Sequence, residues 1–91
     1  MGMFSNHLIA EWRGNVIEVE MKNCGWFYEY SLIVNNKRVD TTHGFYGKFT
    51  LRGEIAADDQ AIPIVIRIRQ GIFSSRYFLE VDESTREMWK S

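Results

Sequence analysis

Alternation of apolar and polar side chains is the feature that most constrains the fold of this chain. In residues 16–22 the apolar side chains of Ile17, Val19 and Met21 are separated by charged ones. Successive side chains of a β-strand point to opposite faces, so this segment is predicted to be a strand with one buried face. No window of about twelve residues keeps an apolar stripe at the helical period. The sequence therefore predicts an all-β protein.

Comparable patterns recur along the chain and predict further short strands. The predicted strands cover residues 7–12, 16–22, 27–34, 45–51, 62–69 and 76–81. The turn-prone pair Asn35-Asn36 and the polar segment 56–60 connect some of them. The only helical signal is the capping-box spacing of Ser84 and Glu87, so a single helical turn is expected at 84–87.

A shift of 47 positions superposes one predicted hairpin on another. The apolar residues that coincide are Ile17 with Ile64, Val19 with Ile66, Leu32 with Leu79, and Val34 with Val81. Because an isolated hairpin is marginal in water, we expect the two copies to pack face to face with these eight side chains buried. The prediction is a single antiparallel β-sandwich of about seven short strands over residues 1–91. A small sheet closed on itself is the alternative.

The charge balance limits which partners the protein attracts from a distance. Eleven basic and twelve acidic residues give a net charge of −1, which creates no field toward nucleic acid or anionic lipid. We therefore expect no membrane partner, and no nucleic-acid partner unless basic residues form a local patch. The candidates for a patch on one sheet are Lys48, Arg52, Arg67, Arg69 and Arg76.

The outward charges of the two hairpins differ in sign. The outward charged residues are Glu18 and Glu20 in the first and Arg67 and Arg69 in the second. If the strands are neighbours, these residues form cross-strand ion pairs. If the strands are far apart, the surface of the protein is dipolar.

Cysteine usage and hydropathy indicate the compartment. Cys24 is the only cysteine, so the chain cannot be a disulfide-stapled secreted scaffold. The sequence also contains no apolar run long enough for a signal peptide or a membrane span. We expect a cytoplasmic protein.

The reactive side chains are few and scattered along the sequence. The conceivable metal ligands are His7, Cys24, Asp40 and His43, and their spacings match no zinc motif. Neither histidine has a sequence reason to reach Cys24 for nucleophilic catalysis, and Asp58-Asp59 belongs to a polar connection. We expect no enzymatic activity, no cofactor and no metal site.

The aromatic residues are the most informative excess in the composition. Trp26, Phe27 and Tyr28 are consecutive, as are Phe45 and Tyr46, so strand alternation cannot bury all of them on one face. The sequence predicts that these five residues form an interaction surface, since exposed apolar patches mark partner sites. Covering of the rings by loops and by Met88-Trp89 is the alternative.

The function predicted from this surface is non-enzymatic. We expect a protein-interaction or assembly module that binds a protein partner or a second copy of itself, for example as a homodimer. The alternative is a small-molecule or carbohydrate binder that uses Trp26, Tyr28 and Tyr46 as a stacking platform. A flat patch would favour the first function, and a concave groove with converging polar groups would favour the second.

The segment Gly25-Trp26-Phe27-Tyr28-Glu29-Tyr30-Ser31-Leu32-Ile33-Val34-Asn35-Asn36-Lys37 resembles a hairpin of the Fas apoptotic inhibitory molecule family. That family has a glycine-aromatic-x-Tyr-Glu-Tyr stretch followed by a strand and an Asn-Gly-Lys turn, and residues 69–82 resemble its other recurring hairpin. Asn36 and Glu83 stand where the family usually has glycine. The resemblance covers about a third of the chain, and it implies a compact β-sandwich without known enzymatic activity or cofactor. It carries over no catalytic residue.

Overall fold

A computed structural model describes residues 5–72, 74–82 and 84–88, and all regular structure in these ranges is β. The eight strands are β1 (Ser5–Trp12), β2 (Asn15–Asn23), β3 (Tyr28–Val34), β4 (Lys37–Gly44), β5 (Gly47–Ala57), β6 (Gln60–Gln70), β7 (Ser75–Val81) and β8 (Ser84–Met88). They form two antiparallel four-stranded sheets, with the orders β1-β2-β3-β4 and β5-β6-β7-β8. Within the described ranges no helix has the length and apolar character needed to cross a membrane.

The predicted sandwich and its core are confirmed. None of the eight side chains predicted to be buried is more than 7% exposed. The other buried apolar residues are Leu8, Met21, Tyr30, Leu51, Ile55, Ile68, Tyr77 and Met88. All sixteen belong to one cluster drawn from both sheets. The apolar positions of the alternating pattern therefore face each other across the sandwich.

The cross-strand register of the first hairpin recurs in the second. Val19 lies opposite Leu32 in the β2-β3 pair, and Ile66 lies opposite Leu79 in the β6-β7 pair. Each hairpin occupies the two central positions of its own sheet, as the face-to-face prediction requires. The second sheet therefore places its apolar pairs 47 positions after those of the first.

The helical turn predicted at 84–87 is wrong, because these residues belong to β8. The chain direction reverses after β7, so that Ser84 lies opposite Val81. Pairing with β7 satisfies the backbone of this segment and buries Met88, which is 3% exposed. A helical turn would leave Met88 without this position in the core.

The predictions of about seven strands and of a strand at 45–51 are corrected as well. Strand β4 was not predicted from the sequence, because most of its side chains are polar and exposed. The strand predicted at 45–51 begins two residues later and extends to Ala57, which leaves Phe45 and Tyr46 in the connection between the sheets. This shift moves both rings out of the strand.

Short turns close one end of the sandwich. The pairs Arg13-Gly14, Asn35-Asn36 and Asp58-Asp59 connect strands in two residues, and all six residues have positive φ. Positive φ at both positions is the signature of the type I′ turn, whose twist matches that of a hairpin. The buried Asn15 donates a hydrogen bond from Nδ2 to the carbonyl of Ala56 at 2.9 Å, which joins the two sheets at this end.

Three other connections gather at the opposite end. They comprise residues 24–27 between β2 and β3, 45–46 between β4 and β5, and 71–74 between β6 and β7, of which the structure describes all but residue 73. Loops carry most of the variable, partner-facing chemistry of a sandwich because their side chains are not needed in the core. The candidate site lies at this end.

Candidate functional site

The β2-β3 connection projects Trp26 away from the sandwich. The backbone N–H of Cys24 donates to the carbonyl of Phe27 at 2.9 Å, and the N–H of Gly25 donates to Oδ1 of Asn23 at 2.9 Å. Gly25 adopts a φ of 100°, which favours glycine. The resulting tight loop leaves Trp26 77% exposed.

The β4-β5 connection exposes two more rings. Phe45 is 59% exposed and Tyr46 is 66% exposed, and their ring centroids lie 5.8 Å apart in an edge-to-face arrangement. Gly47 follows with a φ of 117°, which lets the chain turn sharply into β5. Two adjacent aromatic residues are thus presented where the chain crosses between the sheets.

The β6-β7 connection adds an apolar residue that the sequence analysis did not include. Ile72 is 84% exposed beside Gly71, whose N–H donates to the carbonyl of Ser74 at 2.8 Å. A large apolar side chain directly after Gly71, between the strands predicted at 62–69 and 76–81, is a signal that sequence reasoning could have used. We call the set Trp26, Phe27, Tyr28, Phe45, Tyr46 and Ile72 the apolar tip.

Two shallow depressions lie side by side on the apolar tip. The first, of about 360 Å³, is lined by Trp26, Phe27, His43, Gly44 and Phe45. The second, of about 250 Å³, is lined by Tyr28, Phe45, Tyr46, Gly71 and Ile72. Phe45 borders both. The structure therefore brings all five predicted surface residues together at one end of the molecule.

The predicted residues differ in exposure, however. Phe27 is half-buried, since it packs edge-to-face on Trp26 with centroids 5.2 Å apart and lies 5.8 Å from the His43 ring. Tyr28 is also half-buried and packs against the core, with its ring 6.3 Å from that of Tyr30. Neither ring is fully outward, so the exposed part of the apolar tip consists of Trp26, Phe45, Tyr46 and Ile72.

His43 is the one titratable side chain that lines the first depression. Its Nε2 lies 3.0 Å from Oε2 of Glu29, which is opposite His43 in the β3-β4 register. The histidine is thereby held against its own sheet. The first depression consequently presents mostly carbon atoms to a partner.

The reactive side chains singled out in the sequence are held at separate places. His7 pairs with Glu18 on the first sheet, whereas His43 pairs with Glu29. Asp40 accepts hydrogen bonds from the backbone N–H groups of Thr41 at 2.9 Å and Arg52 at 2.8 Å. Within the described residues, no three His, Cys, Asp or Glu side chains come together in a group able to hold a metal ion.

The outward charges of the two hairpins lie on different sheets, since β2 and β6 are not neighbours. Of the two alternatives, cross-strand pairing of Glu18 and Glu20 with Arg67 and Arg69 therefore does not occur. Instead, Glu20 pairs with Arg38 at 3.5 Å within the first sheet, and Arg67 pairs with Glu80 within the second. Glu18 and Glu20 thus lie on the outer face of one sheet and Arg67 and Arg69 on the outer face of the other, which is the dipolar alternative.

Comparison of the chain with protein families, curated proteins and solved structures finds no match.

Proposed function

We propose that this protein is a non-enzymatic interaction module that associates with a second copy of itself through the apolar tip. The observation that carries the proposal is the clustering of Trp26, Phe45, Tyr46 and Ile72, each at least 59% exposed, on one end of the sandwich. Contiguous exposed apolar surface of this kind is typical of protein-binding sites. Tryptophan and tyrosine are also enriched among residues that dominate interface energies.

The shape of the apolar tip favours a protein over a small ligand. A small-molecule site usually encloses most of its ligand and places several polar groups around it. Here the depressions are shallow and open, and the imidazole of His43 is already engaged with Glu29. A stacking platform for carbohydrate would also need Tyr28 to present its ring, but Tyr28 is half-buried against the core.

The projections and recesses of the apolar tip favour a second copy of the chain as the binding partner. Trp26 and Ile72 protrude from the surface and are 77% and 84% exposed. They lie beside the two depressions, and Phe45 borders both of these depressions. A two-fold symmetric interface requires one patch to offer both the projection and the recess, because each copy uses the same surface. In such an interface, Trp26 of each copy inserts beside Phe45 of the other copy, so that two equivalent contacts form.

The positions of the reactive side chains support the proposal that the protein is not an enzyme. A catalytic site needs a nucleophile or an acid-base pair within hydrogen-bond reach of a common point. His7 and His43 instead bond to different glutamates, and the carboxylate of Asp40 bonds to backbone. The resemblance of residues 25–37 to a non-enzymatic β-sandwich family points the same way, and the lone Cys24 supports a cytoplasmic location.

Sedimentation velocity over a range of protein concentrations tests the proposal. The wild type is expected to sediment increasingly as a dimer as concentration rises. Trp26→Ser and Phe45→Ser are each expected to sediment as monomers over the same range, because they remove the projection and the wall of the recess. Ile9→Ser is the matched control, since Ile9 is 44% exposed in β1 and lies outside the apolar tip.

Two outcomes overturn the proposal. One is a wild type that stays monomeric at the highest concentration reached. The other is a dimer that Trp26→Ser and Phe45→Ser leave intact, which would assign association to another surface. Far-UV circular dichroism of each variant separates loss of association from loss of folding.

A further inference from the structure

The outer face of the second sheet carries a concentration of basic side chains that the net charge conceals. On β5, β6 and β7 the buried residues alternate with outward ones, and the outward basic residues are Lys48, Arg52, Arg67, Arg69 and Arg76. We call these five residues the cationic face. The carboxylates that share this side of the sheet are Glu54, Glu80 and Glu87. The face is therefore positive although the whole chain has a charge of −1.

Three of these cations lie in one row across three strands. Lys48 is opposite Arg69 in the β5-β6 register, and Arg69 is opposite Arg76 in the β6-β7 register. Side chains opposite each other on neighbouring strands are about 5 Å apart at Cβ, and like charges in such positions are destabilising. An anionic ligand that lies across such a row would offset the repulsion between its like charges.

The row is only partly neutralised by the protein itself. Arg76 pairs with Glu87 at 2.9 Å, and in the next row Arg67 pairs with Glu80. The side chains of Lys48 and Arg69 form no ion pair with any carboxylate among the described residues. Both charges are therefore available to a ligand.

An aromatic ring and a surface groove lie next to these basic side chains. A depression of about 300 Å³ is lined by Lys48, Thr50, Arg67, Arg69 and Phe78, among others. The guanidinium carbon of Arg76 lies 5.1 Å from the centre of the Phe78 ring. Thr50, Arg67 and Phe78 occupy consecutive places in the row next to the three cations. Phosphate-binding charges thus lie directly beside planar groups on which a base can stack.

We propose that the cationic face binds single-stranded nucleic acid. The backbone phosphates lie along Lys48 and Arg69, and one base stacks against the planar groups of Phe78 and Arg76. Arginine supplies four of the five cations, and its planar fork suits both phosphate recognition and stacking. An acidic protein segment would match the charges, but it would leave the planar surface beside them unused.

Binding of a short fluorescein-labelled oligothymidylate, followed by fluorescence anisotropy at increasing salt, tests this proposal. Two phosphate contacts, at Lys48 and Arg69, predict that log K falls with log salt with a slope of about −1.4, since each contributes about −0.7 on single strands. Lys48→Gln/Arg69→Gln is expected to weaken binding at low salt by about tenfold or more and to bring the slope close to zero. Phe78→Leu is expected to weaken binding while leaving the slope unchanged, because it removes stacking but no charge.

The matched control is Lys22→Gln/Arg38→Gln, which makes the same change in net charge on the first sheet. It is expected to leave affinity and slope close to those of the wild type. Trp26→Ser is expected to keep oligothymidylate binding while losing self-association, which makes the failure of either proposal distinguishable from the failure of the other. Thermal unfolding of each variant confirms that it is folded.

Three results overturn the proposal. The first is no binding of the wild type even at low salt. The second is equal weakening by the control and by Lys48→Gln/Arg69→Gln, which would indicate a general charge effect. The third is competition by polyglutamate as effective as that by unlabelled oligothymidylate, with no effect of Phe78→Leu, which would assign the face to an acidic protein partner.

Discussion

Gly44, at the end of β4, makes room for an aromatic ring in the core. A Cβ atom at this position would overlap the ring of Phe49. That ring packs on the core and lies 5.2 Å from the ring of Tyr30. Gly44 therefore permits β4 and β5 to approach closely just before the connection that carries Phe45 and Tyr46.

Gly44→Ala is expected to destabilise the protein by about 1–3 kcal/mol, because the added methyl forces the Phe49 ring out of its packed position. Thermal or urea unfolding measures the change. Phe49→Leu in the Gly44→Ala background is expected to recover part of the loss, since the smaller side chain leaves space for the methyl. A Gly44→Ala variant as stable as the wild type would contradict the close packing of Gly44 against the ring of Phe49.

Tyr30 combines complete burial with a hydrogen bond across the sandwich. Its hydroxyl donates to Oε1 of Gln70 on β6 at 2.8 Å. Burial raises the pKa of Tyr30 far above its ordinary value, and the nearby Tyr77 and Tyr28 raise it further. The phenol is neutral in the folded protein over a wider pH range than in the unfolded chain.

This difference predicts how stability depends on alkaline pH. Because the folded pKa is raised, the contribution of Tyr30 is fully present below the unfolded pKa of about 10 and is lost as pH rises above it. Urea unfolding at a series of pH values is expected to show a falling free energy of unfolding above about pH 10. Tyr30→Phe is expected to be less stable than the wild type by about 1 kcal/mol at neutral pH, since it lacks the hydrogen bond.

The same variant is expected to lose less stability on the alkaline side, because residue 30 no longer ionises in the unfolded chain. The gap between wild type and variant should therefore narrow as pH rises. Parallel curves for the two proteins would contradict the assignment of this pH dependence to Tyr30.

At the scale of the elements, the central strands β2, β3, β6 and β7 were predictable because each buries alternate side chains between two neighbours. The edge strands gave weaker signals. In β4 most side chains are exposed, and the register of its pairing with β3 shifts between Leu32 and Ile33. The sequence of β4 therefore shows no clear alternation of buried and exposed side chains. In β8 only Met88 is buried. Edge strands form mainly because the neighbouring strand offers its backbone groups.

Matched substitutions in the central hairpins test their equivalence. Leu32→Ala and Leu79→Ala are each expected to cost about 2–5 kcal/mol, because both side chains are at most 1% exposed in the shared core. Urea unfolding gives both values directly. A cost below about 1 kcal/mol for either variant would show that its sheet does not contribute equally to the core.

At the scale of the whole molecule, the two sheets depend on one another. The molecule measures 42 × 25 × 20 Å, and its core is one cluster to which both sheets contribute. Gly53 on β5 places its backbone against Leu32 and Val39 of the first sheet. Neither sheet can bury its apolar face without the other.

Unfolding by urea is therefore expected to be a single cooperative transition. Tryptophan fluorescence and far-UV circular dichroism should give coincident curves with the same midpoint. The aromatic signal reports tertiary packing and the far-UV signal reports strands, so separate midpoints would mean that one sheet persists after the other is lost.

The sequence alone determined the fold class, the buried face of each central strand and five of the six residues of the apolar tip, because alternation and hairpin spacing are local properties. Tertiary structure decided where those residues meet. Ile72 joins Trp26 and Phe45 only through the convergence of three connections, and Lys48, Arg69 and Arg76 form a row only through the register of β5, β6 and β7. Register and loop convergence depend on contacts between distant segments, which no local pattern specifies.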